Sequence, residues 1–153
     1  MPKHLITTLL CSSSLLISGC TTLCACGSPN IPLYSDLHSN VAKLQYRTWH
    51  LSSIPKHTIK APTSQLPALE FTPDGTLTGS DGCNRLIGRY QAGASLLRIG
   101  QITASQRACL YGDGTTEKFN STLDQVQQYQ SFGSTLKLLD QHGNVLMEFY
   151  AKP

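Results

Sequence analysis

From Gln45 onward, short apolar runs alternate with polar residues and are separated by turn residues. This pattern is typical of antiparallel β-strands with one buried face. Trp49 and Leu51 alternate with polar neighbours, and Phe71 does so within residues 68–72. The turn at residues 73–75 (Pro-Asp-Gly) predicts the first of several hairpins. Two further hairpins are predicted, the first from residues 84–90 and 95–99 and the second from residues 135–140 and 145–150, with Trp49 and Phe71 in the core.

One segment departs from the strand period. Over residues 115–128, Phe119, Leu123 and Val126 recur at spacings of four and three, which places them on one face of a helix. Thr115 or Thr116 is the expected N-terminal cap of this helix. The predicted fold class is therefore mainly β: a compact, antiparallel, barrel-like sheet with one α-helix packed against it.

The N-terminal residues indicate export. Residues 1–19 carry an early Lys3 and an apolar run that is too short for a membrane span, so they predict a signal peptide. The run ends in Leu-Ile-Ser-Gly before Cys20, which resembles the lipobox of bacterial lipoproteins. The resemblance implies that Cys20 carries the lipid and that the membrane is a partner through this anchor. Thr21 and Thr22 follow without the aspartate of inner-membrane lipoproteins, which implies the outer membrane, with the domain in the periplasm or at the cell surface.

Residues 20–44 are expected to form a lipidated N-terminus and flexible tether, and residues 45–153 the folded domain. The formal net charge is only +3, with 12 Lys and Arg against 9 Asp and Glu. No cluster of basic residues interrupts the sequence, so a nucleic-acid partner is not expected.

The order of motifs in the folded part resembles the META domain family, which includes HslJ-like heat-shock proteins. The resemblance spans roughly residues 45–150, and a glycine-cysteine-asparagine block with a second cysteine 26 residues later carries most of it. The matching segments are Thr48–Leu51, Leu69–Gly75, Gly79–Arg85, Gly88–Tyr90, Leu97–Gly100, Ala108–Cys109, Tyr129 and Leu136–Leu139. The resemblance implies a lipocalin-type topology, export, frequent lipidation, a role in envelope stress and no established catalytic activity. Residues 105–107 (Ser-Gln-Arg) depart from the family's usual Thr, basic residue and Met.

The six cysteines fall into three groups. Cys11 leaves with the signal peptide and Cys20 takes the lipid. Cys83 and Cys109 are expected to form a disulfide in an oxidising compartment, as the resemblance also implies. Closing that loop should stabilise the fold by roughly 3–4 kcal/mol.

A competing hypothesis makes Cys83 a catalytic thiol, which would need a histidine base such as His50, His57 or His142. None of these lies in a recognisable local signature. Cys24 and Cys26 have several open interpretations: a soft-metal pair, a bridge to another chain, an oxidised pair, or a second lipobox at Cys26.

Other candidate chemistry is weak. Asp74, Asp81 and Asp113 each lie beside a glycine, which is typical of turns. The segment 81–84 lacks the alternating acidic ligands of a calcium loop, and no glycine-rich phosphate loop precedes a helix. No catalytic residue, metal site or cofactor is therefore predicted.

The function expected from the sequence is that of a non-enzymatic, outer-membrane-anchored lipoprotein that supports envelope integrity or stress resistance. It would bind an unidentified envelope protein or ligand, with Asp81, Asn84 and Arg85 as the possible partner-binding loop. Two alternatives remain open. One is an inhibitor of a lysozyme or protease, which would require the loop at 79–85 or at 111–115 to protrude. The other is a small apolar-ligand carrier, which would require a cavity.

Overall fold

The computed structural model describes residues 40–108 and 112–152. These residues contain eight strands, one α-helix of 9 residues and a short 3-10 turn at Thr63–Gln65. The strands and the helix are β1 (Thr48–Ser53), β2 (Ala68–Phe71), β3 (Thr76–Ser80), β4 (Arg85–Ala92), β5 (Leu97–Ala104), α1 (Thr115–Leu123), β6 (Gln128–Phe132), β7 (Thr135–Leu139) and β8 (Val145–Ala151). Residues 40–44, ahead of β1, are helical.

The strands form one antiparallel sheet in the order β5-β4-β3-β2-β1-β8-β7-β6. The sheet curls into a half-barrel, which confirms the predicted fold class. Its two edge strands meet at one place only, where Leu96 bridges Gln128 and the Leu97 amide donates to the Gln127 carbonyl at 3.0 Å. Beyond Leu97 the outer edge of β5 is not paired with β6.

The core fills the concave side of the curled sheet. Alternation along β4 sends Leu86, Gly88 and Tyr90 inward, with exposed residues between them. Trp49 and Phe71 are completely buried, as predicted. The indole N–H of Trp49 donates to the Leu44 carbonyl at 2.8 Å, which satisfies its one polar atom.

The predicted helix begins where expected and ends five residues early, at Leu123 rather than Gln128. Phe119, Leu123 and Val126 are all buried, so the apolar face was assigned correctly. The cap was not. Gly114 is the N-cap, in a left-handed conformation, and neither Thr115 nor Thr116 supplies a side-chain cap.

Strand β6 was missed because the helical pattern was extended over its first residue, Gln128. It pairs along its whole length with β7, from Gln128 opposite Leu139 to Phe132 opposite Thr135. Its side chains give a weak signal, since only Tyr129 in this strand is fully buried. The pairing partner, not the local sequence, decides the conformation here.

Within the described residues, no helix is both long and apolar enough to cross a membrane. The signal peptide, Cys20, Cys24 and Cys26 lie outside the described residues, and so does Cys109.

Candidate functional site

The loop between β3 and β4, residues 81–84, contains the block that carried the family resemblance. It lies beside the start of α1 and the 3-10 turn, where a surface cleft of about 240 Å³ opens. The cleft is lined by polar and small residues, among them Gln65, Asp81, Cys83, Arg107, Asp113 and Thr115. We take this cleft and its loop as the candidate site.

Asp81 is the centre of the loop, and its side chain is completely buried. One carboxylate oxygen accepts hydrogen bonds from the backbone amides of Cys83 at 3.0 Å and Asn84 at 2.6 Å. The other accepts from the side-chain amides of Asn84 at 3.2 Å and Asn120 at 3.0 Å. The Asp81 carbonyl also accepts from the Thr116 hydroxyl at 3.1 Å. One residue thus closes the loop and ties it to α1.

These donors decide the protonation state of Asp81. Burial alone would raise the pKa of the carboxyl, because it disfavours the charged form. The hydrogen bonds from Asn120, Asn84 and Cys83 outweigh that effect and lower the pKa below its ordinary value of 3.8. Asp81 is therefore ionised at neutral pH, with both oxygens occupied by donors from its own chain. The ionised carboxylate holds the loop together.

Two glycines allow the loop to sit this close to the rest of the fold. A Cβ on Gly79 would lie 2.1 Å from the Ala68 carbonyl oxygen, across the β2–β3 pair. Gly82 has a φ of +95°, and a Cβ there would lie 2.5 Å from the Gln65 carbonyl oxygen. Neither position can hold a side chain without displacement of backbone.

The loop also contacts the segment that follows β5. The Asn84 side-chain oxygen accepts from the Arg107 amide at 2.9 Å, and the Arg85 amide donates to the Ser105 hydroxyl at 3.1 Å. The Cys83 sulfur lies 3.8 Å from the Arg107 carbonyl oxygen. Cys83 is therefore close to the chain two residues before Cys109.

A second connection at this end of the sheet was not recognised from the sequence. The Asp113 carboxylate accepts from the Thr115 amide and from the Lys60 amide, both at 2.9 Å. These backbone donors lower the pKa of Asp113 to about 2. The His57 ring lies 3.0 Å from the Thr115 hydroxyl. Asp113 thus accepts a hydrogen bond from an amide at the start of the helix. The sequence feature that could have predicted this contact is an Asp two residues ahead of a helical pattern.

The three histidines proposed as partners for a catalytic Cys83 lie in different places. His50 packs against the Tyr150 ring with centroids 5.6 Å apart. His142 is exposed in the β7–β8 turn. Only His57 approaches the cleft, through its contact with Thr115, a residue that lines it. In residues 40–108 and 112–152, no three His, Cys, Asp or Glu side chains are grouped to hold a metal ion.

The three residues predicted as a partner-binding loop differ in accessibility. Asp81 is buried, and the polar atoms of Asn84 contact Asp81 and Arg107. Arg85 is the exposed member, at the first position of β4. The loop is brought together as the sequence suggested, but its shape is maintained by contacts to its own domain rather than left open to solvent.

Comparison with solved structures shows the same fold at low sequence identity. A protein solved by NMR from Burkholderia xenovorans is 18% identical, with a TM-score of 0.56 and 99% of each chain covered. A crystal structure of a DUF4847 family protein from Bacteroides vulgatus is 17% identical, with a TM-score of 0.55 over 70% of this chain and 93% of that one. A third, solved by NMR, is 19% identical at a TM-score of 0.57, covering 71% and 92%.

No curated protein matches the sequence. The model of the META domain family matches residues 42–153. That range includes the whole sheet, the helix and the loop around Asp81. The chain therefore belongs to the META domain family.

Proposed function

We propose that the protein is a non-enzymatic lipoprotein of the outer membrane whose META domain supports envelope integrity by binding a partner. The non-enzymatic part of the proposal rests on the hydrogen bonds that the Asp81 carboxylate accepts. The most family-like block supplies a carboxylate whose four hydrogen bonds all come from its own chain. That arrangement supports an architectural role for the block and leaves binding to the exposed surface of the domain.

The anchor is the first part of this proposal to test. Cys20 follows a lipobox-like segment, and Cys26 is the rival lipid site. We expect labelled palmitate to be incorporated by the wild type and by Cys26→Ala, with both found in the outer-membrane fraction. Cys20→Ala should lose the label and leave that fraction. Label retained by Cys20→Ala and lost by Cys26→Ala would contradict the assignment.

The second part of the proposal is a disulfide between Cys83 and Cys109. The Cys83 sulfur approaches the Arg107 carbonyl oxygen at 3.8 Å, which places it beside the segment that leads into Cys109. Non-reducing peptide mapping of the exported protein should recover a peptide that links the two cysteines. Free thiols at both positions would contradict the pairing and revive the catalytic-thiol hypothesis.

The two alternative functions receive no support from the described residues. An inhibitory loop at 79–85 should protrude, whereas Asp81 is buried and Gly82 packs against Gln65. The other candidate loop, 111–115, lies partly outside the described residues. An apolar-ligand carrier needs an internal cavity. The concave side of the sheet is instead occupied by completely buried side chains, including Trp49, Phe71 and Phe119. The inhibitor alternative is tested by adding the protein at micromolar concentration to a panel of lysozymes and proteases. If none of them is inhibited, that alternative is wrong.

A further inference from the structure

Strands β4 and β5 carry a second depression, away from the loop around Asp81. It has a volume of about 530 Å³. We call it the arginine depression and define it by the polar residues that line it: Arg89, Gln91, Arg98, Gln101 and Gln127. Among the described residues, no carboxylate lines it.

The strand register brings two arginines together. Arg89 is paired with Gly100, and Gln91 with Arg98, so the two arginines are diagonal neighbours on one face of adjacent strands. Diagonal neighbours have Cβ atoms within about 7–8 Å, which long side chains can span. Gly100, opposite Arg89, contributes no side chain, and a Cβ there would meet nothing within 4 Å. No side chain at position 100 therefore separates Arg89 from Arg98.

The charges of the two arginines are available to a ligand. The only ion pair between two residues in the described ranges is Lys137 with Glu148, far along the sheet. Arg89 donates one N–H to the Thr76 hydroxyl at 3.0 Å. It also interacts electrostatically with the Asp74 carboxylate in the neighbouring turn. Asp74 is itself held by the hydroxyls of Thr72 and Thr76, which lower its pKa to about 2. Arg89 keeps four further N–H donors.

The backbone is irregular at this depression. The β4–β5 register shifts between Ile87 and Arg89, and Gln101 in the opposing bulge has a φ of +54°. A non-glycine residue in that conformation is strained, and such positions are enriched at ligand sites. Gln101 lines the depression. The side chains of Gln91, Gln101 and Gln127 make no hydrogen bond to another described residue, so three amides remain available.

We propose that the arginine depression binds a phosphorylated sugar. Two arginines that are diagonal neighbours on one face, with no side chain at position 100 between them, match the double charge of a phosphate monoester. A carboxylate needs only one bidentate arginine. Free amides donate to and accept from sugar hydroxyls. Binding does not depend on the proposed lipidation of Cys20.

The test is calorimetric titration of the full chain, purified in detergent, with N-acetylglucosamine 1-phosphate. N-acetylglucosamine and inorganic phosphate are titrated in parallel. We expect saturable binding of the sugar phosphate, weaker binding of inorganic phosphate and none of the neutral sugar. No saturable binding would overturn the proposal. Equal affinity for inorganic phosphate would overturn the assignment to a sugar.

Two variants locate the site, and a third serves as the matched control. Arg98→Gln should raise the Kd about tenfold, since it removes a charged donor. Gly100→Leu keeps every charge but places a side chain between the two arginines, and it should weaken binding by a similar factor. Lys118→Gln removes one exposed positive charge on α1, outside the depression, and should change the Kd less than about twofold. An equal loss in Lys118→Gln and Arg98→Gln would show only a response to net charge and would overturn the site.

Discussion

At the scale of single residues, Asp81 shows how a charge can be buried at modest cost. Desolvation opposes an ionised carboxylate, and four donors from three residues offset it. The same donors would be left unsatisfied if the carboxylate were removed, which makes the group costly to lose.

Asp81→Ala should therefore destabilise the domain by about 3 kcal/mol, because the part-buried side-chain amides of Asn84 and Asn120 lose their acceptor. Urea unfolding followed by Trp49 fluorescence measures the change. Asp124→Ala, at the exposed end of α1, is the control and should stay within about 0.5 kcal/mol of the wild type. Equal effects of the two substitutions would refute the role of Asp81 as the centre of the loop.

Gly82 combines a positive φ with a close backbone contact, and Gly143 allows the two effects to be separated. Gly143 has a φ of +83°, and a Cβ at that position would meet no atom within 4 Å. Gly143→Ala should cost about 1 kcal/mol from backbone strain alone. Gly82→Ala should cost at least about 1 kcal/mol more, because its Cβ would meet the Gln65 carbonyl oxygen. Urea unfolding of both variants measures the difference, and similar losses would mean that the close contact relaxes without penalty.

At the scale of elements, helix α1 contributes to both the core and the candidate site. Its buried face carries Phe119, whose ring meets the Phe149 ring at 6.3 Å between centroids in an edge-to-face arrangement. Its polar side carries Asn120 and Thr116, which hold Asp81. Loss of the helix would therefore disturb the packing of the sheet and the loop together.

Phe119→Ala should destabilise the protein by about 3–5 kcal/mol, as expected for a large core aromatic that leaves a cavity. Lys118→Ala, at an exposed position one residue earlier in the same helix, should change the unfolding free energy by less than about 0.5 kcal/mol. Thermal unfolding of both variants measures this. A small effect of Phe119→Ala would mean that the helix is not needed to close the core.

At the scale of the whole molecule, three aspartates fix loops through hydrogen bonds from their own neighbourhood. Asp113 and Asp74 both have pKa values lowered to about 2 by hydrogen bonds, and that of Asp140 is also lowered by contacts with Asn144 and His142. Each lowered pKa means that the folded state favours the charged form. The stabilisation is therefore complete above about pH 4 and is lost as the pH falls toward 2.

We accordingly expect the free energy of unfolding to fall between about pH 4 and about pH 2. Asp113→Asn removes one of these groups, so its deficit relative to the wild type should be largest near neutral pH and shrink as the carboxyl is protonated. Urea titrations at a series of pH values across this range measure the difference. A deficit that stays constant with pH would contradict a contribution from ionised Asp113.

Much of this architecture follows from local pattern. Alternation and turn residues determined the hairpins around residues 73–75 and 142–144, and the spacing of Phe119, Leu123 and Val126 determined the helical face, because each depends on short sequence periods. Strand β6 did not follow in this way. Its local sequence accepts either conformation, and pairing with β7 selects the strand.

The sequence by itself also determined the family, through the block around Cys83, and the expectation of a lipid anchor at Cys20. Only the tertiary structure decided what that block does, because its hydrogen-bond partners are distant in the sequence. Asn120 is 39 residues from Asp81, and Arg107 is 23 residues from Asn84. It likewise decided the position of the arginines. Arg89 and Arg98 form no cluster in the sequence, and they become neighbours because the register of two adjacent strands sets them on one face.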